Sequence, residues 1–176
     1  MTGNLTAKTP QLLLNLLTFQ AGWFACVLGA AHGRPLFGVL TVAAIAVIWL
    51  IAAPRPLALA QLLALSALVG FCWDSWLSVF GLVSYPPGPL TPFAPLWIVA
   101  MWLLLATTLH LSMRWLQERW LWAAALGAVA APLSYLAGAR LGALNLLQVQ
   151  PALLAQSLGW ALLLPALLRL ARRLNV

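Results

Sequence analysis

The stretch LFGVLTVAAIAVIWLIAA, residues 36–53, decides the fold class because it runs for eighteen residues without a charge. An α-helix needs about 20 predominantly apolar residues to cross the hydrocarbon core of a bilayer. In water the β-branched residues of this stretch would favour a strand. In lipid the backbone must satisfy its own hydrogen bonds, which favours a helix. The stretch therefore predicts a transmembrane helix.

The rest of the chain has the same character. Of its 176 residues, 64% are hydrophobic and only 6% are charged, whereas soluble domains carry about 25% charged residues. So few charges cannot cover a surface that faces water, so most of the exterior must face lipid. We expect an all-α fold, a polytopic transmembrane helical bundle that forms one integral membrane domain over residues 1–176.

Six apolar runs are separated by prolines, glycines and isolated charges. Pro54-Arg55-Pro56 breaks the chain after the second run, and the uncharged segment SYPPGPLTPF at 84–93 is the clearest loop. The predicted spans are roughly 11–31, 36–53, 57–83, 94–115, 120–139 and 151–168. One alternative stays open, because the first run could instead be a signal peptide cleaved near Gly29-Ala30-Ala31, which would leave five spans.

The basic residues are distributed unequally between the two ends of such a bundle. Two of them, Arg34 and Arg140, lie at the end that holds the 84–93 loop. The other end carries seven, which are Lys8, Arg55, Arg114, Arg119, Arg169, Arg172 and Arg173. Because basic residues accumulate on the cytoplasmic side, we expect both termini in the cytoplasm and the 84–93 loop outside it.

The net charge of +7 does not indicate nucleic-acid binding, because the basic residues are scattered at the ends of apolar runs and form no patch. That placement is typical of topology determinants facing anionic lipid. Cys26 and Cys72 are far apart and belong to no Cys/His cluster, so no metal site is expected. No nucleotide or cofactor motif is present either, and we predict no cofactor.

Asp74 is the one acidic residue inside a predicted span. On a helix it shares a stripe of small and polar residues with Ser66, Gly70 and Ser78, and such a stripe faces other helices or a cavity. A carboxylate within a membrane costs at least about 2.5–3.5 kcal/mol, so we expect a cation, a cluster of hydrogen bonds or protonation to compensate this cost. The basic candidates at that end are Arg34, Arg140 and His32.

Three interpretations of Asp74 remain open, one of which is a solvated carboxylate at a distorted helix end. An ion pair with an arginine would fix the packing of the helices, whereas a cluster of Asp74, Tyr135 and Arg140 in a cleft could bind a ligand or transfer protons. Other polar residues inside the spans are expected to join helices by hydrogen bonds more often than to form a site. These residues are Asn15, Gln20, His110, Ser134 and Gln156.

Four segments together resemble one bacterial inner-membrane family. They are FQAGWFACVLGAA near the start, WDSWLSVFGL at 73–82, APLWIVAMWLLLATTLHLSMRWL at 94–116 and PLSYLAGARLGAL at 132–144. The chain is identified on them as a member of the domain-of-unknown-function family twenty-eight seventy-eight. The resemblance implies a multi-pass protein of the bacterial inner membrane and implies no activity. The matching positions are Asp74, Pro95, Trp97, Tyr135, Gly138, Arg140 and Gly142, whereas Ala131 stands where a glycine is expected.

The resemblance also implies an association with enzymes that modify lipids, because genes of the family lie near such enzymes. The first functional hypothesis is therefore an accessory factor or enzyme in membrane-lipid modification or envelope stress. The alternatives are a non-catalytic membrane scaffold and a small transporter or ligand-binding protein. The partners to expect are membrane lipid, other membrane proteins or a second copy of the chain, and whether the protein is an enzyme stays open.

Overall fold

The computed structural model describes residues 8–176, and this part of the chain contains six α-helices; residues 1–7 of the predicted domain lie outside it. The helices are α1 (Lys8–Ala31), α2 (Pro35–Ala52), α3 (Pro56–Val79), α4 (Leu96–Leu109), α5 (Trp120–Arg140) and α6 (Val149–Arg173). Two short antiparallel strands, β1 (Val83–Ser84) and β2 (Asn145–Leu146), pair between two loops. The expected helical bundle is confirmed.

Prolines set the starts of two helices. Pro35 and Pro56 occupy the first turns of α2 and α3, where the missing N–H is one that has no partner in the helix anyway. The residues before them, Arg34 and Arg55, have φ values of −121° and −133° and lie outside the helical region, as expected of residues that precede proline. The chain can therefore reverse direction within a few residues.

Five of the helices in the described part of the chain are long and apolar enough to cross a membrane, and α4 is shorter, with 14 residues. The prediction of a long fourth span over 94–115 is wrong at its C-terminal end, because the helix stops at Leu109 and a 3-10 turn follows at Arg114–Leu116. The hydroxyls of Thr107 and Thr108 donate to the carbonyls of Leu104 and Leu105, and such hydrogen bonds compete with regular helix.

The connections gather at two ends of the bundle as the six-run pattern predicts. At one end, strand β1 of the α3–α4 loop pairs with strand β2 of the α5–α6 loop. At the other end, an Arg55 Nη1 donates to the Asn175 carbonyl (3.3 Å), and Arg172 forms an exposed ion pair with Glu118 (3.3 Å). Which end faces the cytoplasm stays a prediction.

The bundle has two parts. Helices α1–α4 pack closely with one another and are called the four-helix unit, and α5 and α6 form a second tightly packed pair, called the hairpin. Glycines bring the backbones together in both: a side chain at Gly38 would meet the Cα atom of Cys26, and one at Gly127 would meet the Trp160 carbonyl. The seam between the two parts has far fewer close backbone approaches.

Candidate functional site

Asp74 is fully buried and lies at the seam between the four-helix unit and the hairpin. Its Oδ2 accepts a hydrogen bond from the Trp102 Nε1 on α4 (2.7 Å). Its Oδ1 accepts from the Tyr85 hydroxyl in the α3–α4 loop (2.7 Å) and from the Tyr135 hydroxyl on α5. We call these four residues the Asp74 cluster, which joins α3, α4, a loop and α5 through one carboxyl group.

The position of the Trp102 ring follows from a glycine one turn before Asp74. A Cβ atom at Gly70 would lie 2.1 Å from the indole ring, so only glycine lets the ring rest against the backbone of α3. The Trp102 ring also stacks on the ring of Trp160 of α6, with the ring centroids 4.6 Å apart. Trp102 therefore bridges α3 and the hairpin.

Tyr85 reaches Asp74 because the loop that carries it folds back onto the end of α3. Val83 and Ala94, near the two ends of this loop, are completely buried, and the Ala94 N–H donates to the Ser75 hydroxyl (3.0 Å). Burial and the neighbouring Asp74 carboxyl raise the pKa of the Tyr85 phenol well above its ordinary value. The hydroxyl therefore keeps its proton and acts as a donor.

Of the alternatives that the sequence leaves open for Asp74, the described residues form a cluster of hydrogen bonds, and the interpretation as an ion pair with an arginine is wrong. Within residues 8–176, the ion pair that forms is the distant one between Arg172 and Glu118. Arg140 is exposed at the C-terminal end of α5, while Tyr135, five residues earlier, points into the seam. Three neutral donors satisfy the carboxyl group in place of a cation, which removes the need for an ion pair.

A cavity of about 520 Å³ lies beside the Asp74 cluster, between α1 and α4 on one side and the hairpin on the other. We call it the seam cavity. Trp23, Trp97, Trp102 and Trp160 contribute to its mainly apolar wall, and Tyr135 lies in that wall as well. Asp74 itself does not line the cavity, because its neighbours cover both oxygens.

A second cavity, of about 790 Å³, lies at the end of the bundle where β1 and β2 pair. We call it the loop cavity, because the 84–95 segment folds over the α1–α2 turn and contributes nearly half of the lining residues. Tyr85 and Trp97 contribute to its wall, and Arg34 lies at its edge. The two cavities share Trp97, which is almost completely buried between them.

Two other predicted polar residues also connect helices at the seam. The Trp23 Nε1 of α1 donates to the Ser134 hydroxyl on α5 (3.0 Å). The Trp73 Nε1 of α3 donates to the Gln156 Oε1 on α6 (3.3 Å), and Gln156 also lies near Tyr135. The seam is therefore crossed by several indole and phenol donors.

The remaining predicted polar residues are not among the hydrogen-bond partners of Asp74. Asn15 donates to the Thr107 carbonyl (3.1 Å) and accepts from the Ser112 hydroxyl (2.7 Å), so it links α1 to the end of α4. His110 caps α4 and is buried. Gln20 is exposed at the wall of the seam cavity. None of these three residues is therefore a member of the Asp74 cluster.

The sequence interpretation missed Tyr85 and Trp102 as partners of Asp74. One signal could have identified Tyr85, because the chain has only two tyrosines and both donate to Asp74. No comparable signal distinguishes Trp102 among ten tryptophans. Across residues 8–176, no group of three His, Cys, Asp or Glu side chains is placed to hold a metal ion.

Comparison with known proteins places the chain in a family and goes no further. No curated protein and no solved structure matches it. One family matches residues 12–166, which include all the residues of the Asp74 cluster and nearly all of both parts of the bundle. The chain belongs to that family, described as "Protein of unknown function (DUF2878)".

Proposed function

We propose that this protein is an accessory factor of membrane-lipid metabolism that binds a lipid acyl chain in the seam cavity. The observation that carries the proposal is an aromatic-walled, mainly apolar cavity between two separately packed parts of a membrane protein. Its volume of about 520 Å³ falls within the range of small-molecule sites, roughly 300–1,000 Å³.

The surroundings of the cavity favour an acyl chain as its occupant. Leu126 and Leu133 contribute to the wall and are themselves exposed, so the cavity is open beside α5. Both lie in the interior of a 21-residue apolar helix, where the surrounding medium of a membrane-spanning helix is hydrocarbon. A lipid chain could therefore enter sideways without passing through water.

The Asp74 cluster supports binding more than catalysis. A general acid or base must come within hydrogen-bond reach of the group whose proton it transfers. Asp74 is completely buried, and its oxygens already accept three hydrogen bonds. In this proposal it is a positioning residue that fixes Tyr135 and Trp102 in the cavity wall, and no reaction is assigned to it.

The proposal places the protein in the bacterial inner membrane with both termini in the cytoplasm. The distribution of basic residues supports this orientation, because the end with the α1–α2, α3–α4 and α5–α6 connections carries Arg34 and Arg140 alone. Reporter fusions after Val176 and within the loop near Pro87 test it. The orientation requires the two reporters to be in different compartments.

A photoreactive lipid tests the binding site. The full-length protein would be placed in nanodiscs that contain a phospholipid with a diazirine midway along one acyl chain, irradiated, digested and mapped by mass spectrometry. We expect adducts on the wall of the seam cavity, including Trp23 and Met101. Adducts confined to outward residues such as Ile51 and Leu162 would contradict the proposal.

A matched pair of substitutions on α5 provides the control. Ala130 lies in the wall of the seam cavity and Ala125 does not, although both are exposed on the same helix. Ala130→Trp should fill part of the cavity and lower labelling of Trp23 and Met101 several-fold. Ala125→Trp should leave it unchanged, and an equal loss in both variants would contradict a specific site.

A further inference from the structure

We propose that the loop cavity is a second site, which binds the anionic headgroup of a phospholipid with Arg34 as its counter-charge. The cavity is separate from the seam cavity, and the inference does not depend on acyl-chain binding there. It rests on the distribution of charge in the chain, the polar groups of the cavity and its position in the bundle.

The distribution of charge leaves Arg34 without an acidic partner. The chain has two acidic residues. Asp74 is occupied by three neutral donors, and Glu118 pairs with Arg172 at the opposite end of the bundle. The Arg34 backbone takes part in the α1–α2 turn, and its exposed guanidinium forms no ion pair among the described residues.

Among the described residues that line the loop cavity, Arg34 is the one with a charged side chain. The α3–α4 loop that covers the cavity carries no charge and is rich in proline. Ser78 and Ser84 add hydroxyl groups to the same wall, and hydroxyl groups can donate to phosphate oxygens. A guanidinium binds phosphate through paired, charge-assisted hydrogen bonds. The cavity is therefore complementary to one anionic group with an apolar body.

The location of the cavity favours a lipid over a free anion. It lies where helices α1, α2 and α4 begin or end, which is the headgroup level if these apolar helices cross the membrane. Most of its wall is apolar, with Phe37, Phe93 and Trp97 among the lining residues. Such a wall favours the glycerol and upper chain region of a lipid, whereas free phosphate is strongly hydrated and gains nothing from apolar contacts.

The test is native mass spectrometry of the full-length protein in detergent with equimolar phosphatidylglycerol and phosphatidylcholine. We expect the wild-type protein to retain more phosphatidylglycerol. Arg34→Gln should lower the ratio of the two bound lipids about fivefold, the effect of one basic group near an anionic lipid. Arg34→Lys should keep only part of the ratio, because it keeps the charge but loses the paired hydrogen bonds of the guanidinium.

Arg140 supplies the matched control, since it is the other arginine at this end, is exposed and lies outside both cavities. Arg140→Gln should leave the lipid ratio unchanged. An equal loss in both glutamine variants would show general electrostatic attraction and overturn the site, as would a wild-type protein without a lipid preference. Displacement of phosphatidylglycerol by millimolar inorganic phosphate would overturn the lipid as occupant.

The two proposals fail separately. If Arg34→Gln loses the lipid preference while the diazirine lipid never labels Trp23 or Met101, the headgroup site stands and the seam-cavity proposal falls. If labelling of the seam cavity persists and the lipid ratio does not respond to Arg34→Gln, the headgroup site falls alone.

Discussion

The contact between α1 and α2 and the seam between the four-helix unit and the hairpin are built in different ways. Between α1 and α2 the backbones meet directly, because Gly38 leaves no side chain between itself and Cys26. At the seam, Trp102 stacks on Trp160, and the Asp74 carboxyl group accepts hydrogen bonds from both parts of the bundle. The seam cavity lies beside these contacts. Close backbone packing leaves no room for a ligand. Hydrogen bonds and stacked rings, in contrast, can hold the four-helix unit and the hairpin together around a ligand.

Removing the carboxyl group should have the largest effect on the seam. Asp74→Leu leaves the donors of Tyr85, Trp102 and Tyr135 without their acceptor, and each buried donor without a partner costs about 1–3 kcal/mol. We expect the free energy of unfolding, measured by steric trapping in bicelles, to fall by at least about 3 kcal/mol. A loss below about 1 kcal/mol would show that the cluster does not hold the seam.

Gly38→Ala should destabilise the contact between α1 and α2. The new Cβ would lie 2.4 Å from the Cys26 Cα, and a backbone cannot move aside as a flexible side chain can. We expect a loss of about 1–3 kcal/mol, typical of overpacking, without a change in how the hairpin docks. Accessibility of the buried Ala131, after its replacement by cysteine in a protein without Cys72, reports docking, and increased accessibility in Gly38→Ala would contradict the independence of the two contacts.

Deleting a single hydroxyl should have a smaller effect. Tyr135→Phe removes one of the three donors to Asp74 and keeps the ring, so we expect a loss of about 1–2 kcal/mol in the same unfolding measurement. The double variant with Asp74→Leu should lose less than the sum of the two single losses, because both remove the same hydrogen bond. Strict additivity would show that the two residues do not interact.

The smallest effect is expected at the arginine that the sequence suggested as a partner. Arg140 is exposed and forms no ion pair with Asp74, so Arg140→Gln should change the free energy of unfolding by less than about 0.5 kcal/mol. A loss as large as that of Tyr135→Phe would restore the ion-pair interpretation.

The sequence predicts the elements of this fold better than the partners of its buried acid. Long uncharged runs such as 36–53 indicate helices because lipid forces the backbone to satisfy itself. The i, i+4 stripe of Ser66, Gly70, Asp74 and Ser78 also predicts a face toward helices or a cavity. The first three residues are buried, and Ser78 is partly buried and lines the loop cavity. These inferences use only local spacing along one helix.

The partners could not be predicted in the same way because they depend on how separate helices pack. Charge alone makes Arg34, Arg140 and His32 candidate partners, and Arg140, five residues after Tyr135 on α5, is exposed outside the seam. Tyr85 comes from a proline-rich loop whose path back to α3 has no local signature. Trp102 depends on Gly70, and only the three-dimensional fit of ring against backbone distinguishes this pair.

The distance between the four-helix unit and the hairpin shows whether the Asp74 carboxyl group holds them together. Spin labels at Leu40 on α2 and Leu158 on α6, both exposed, would be introduced after replacement of Cys26 and Cys72, and their distance measured by double electron–electron resonance in nanodiscs. We expect a narrow distribution of label-to-label distances in the otherwise unchanged protein and in Arg140→Gln. In Asp74→Leu we expect a broader distribution or a longer mean distance. A distribution that stays narrow and unshifted in Asp74→Leu would contradict the claim that the buried carboxyl group holds the hairpin to the four-helix unit.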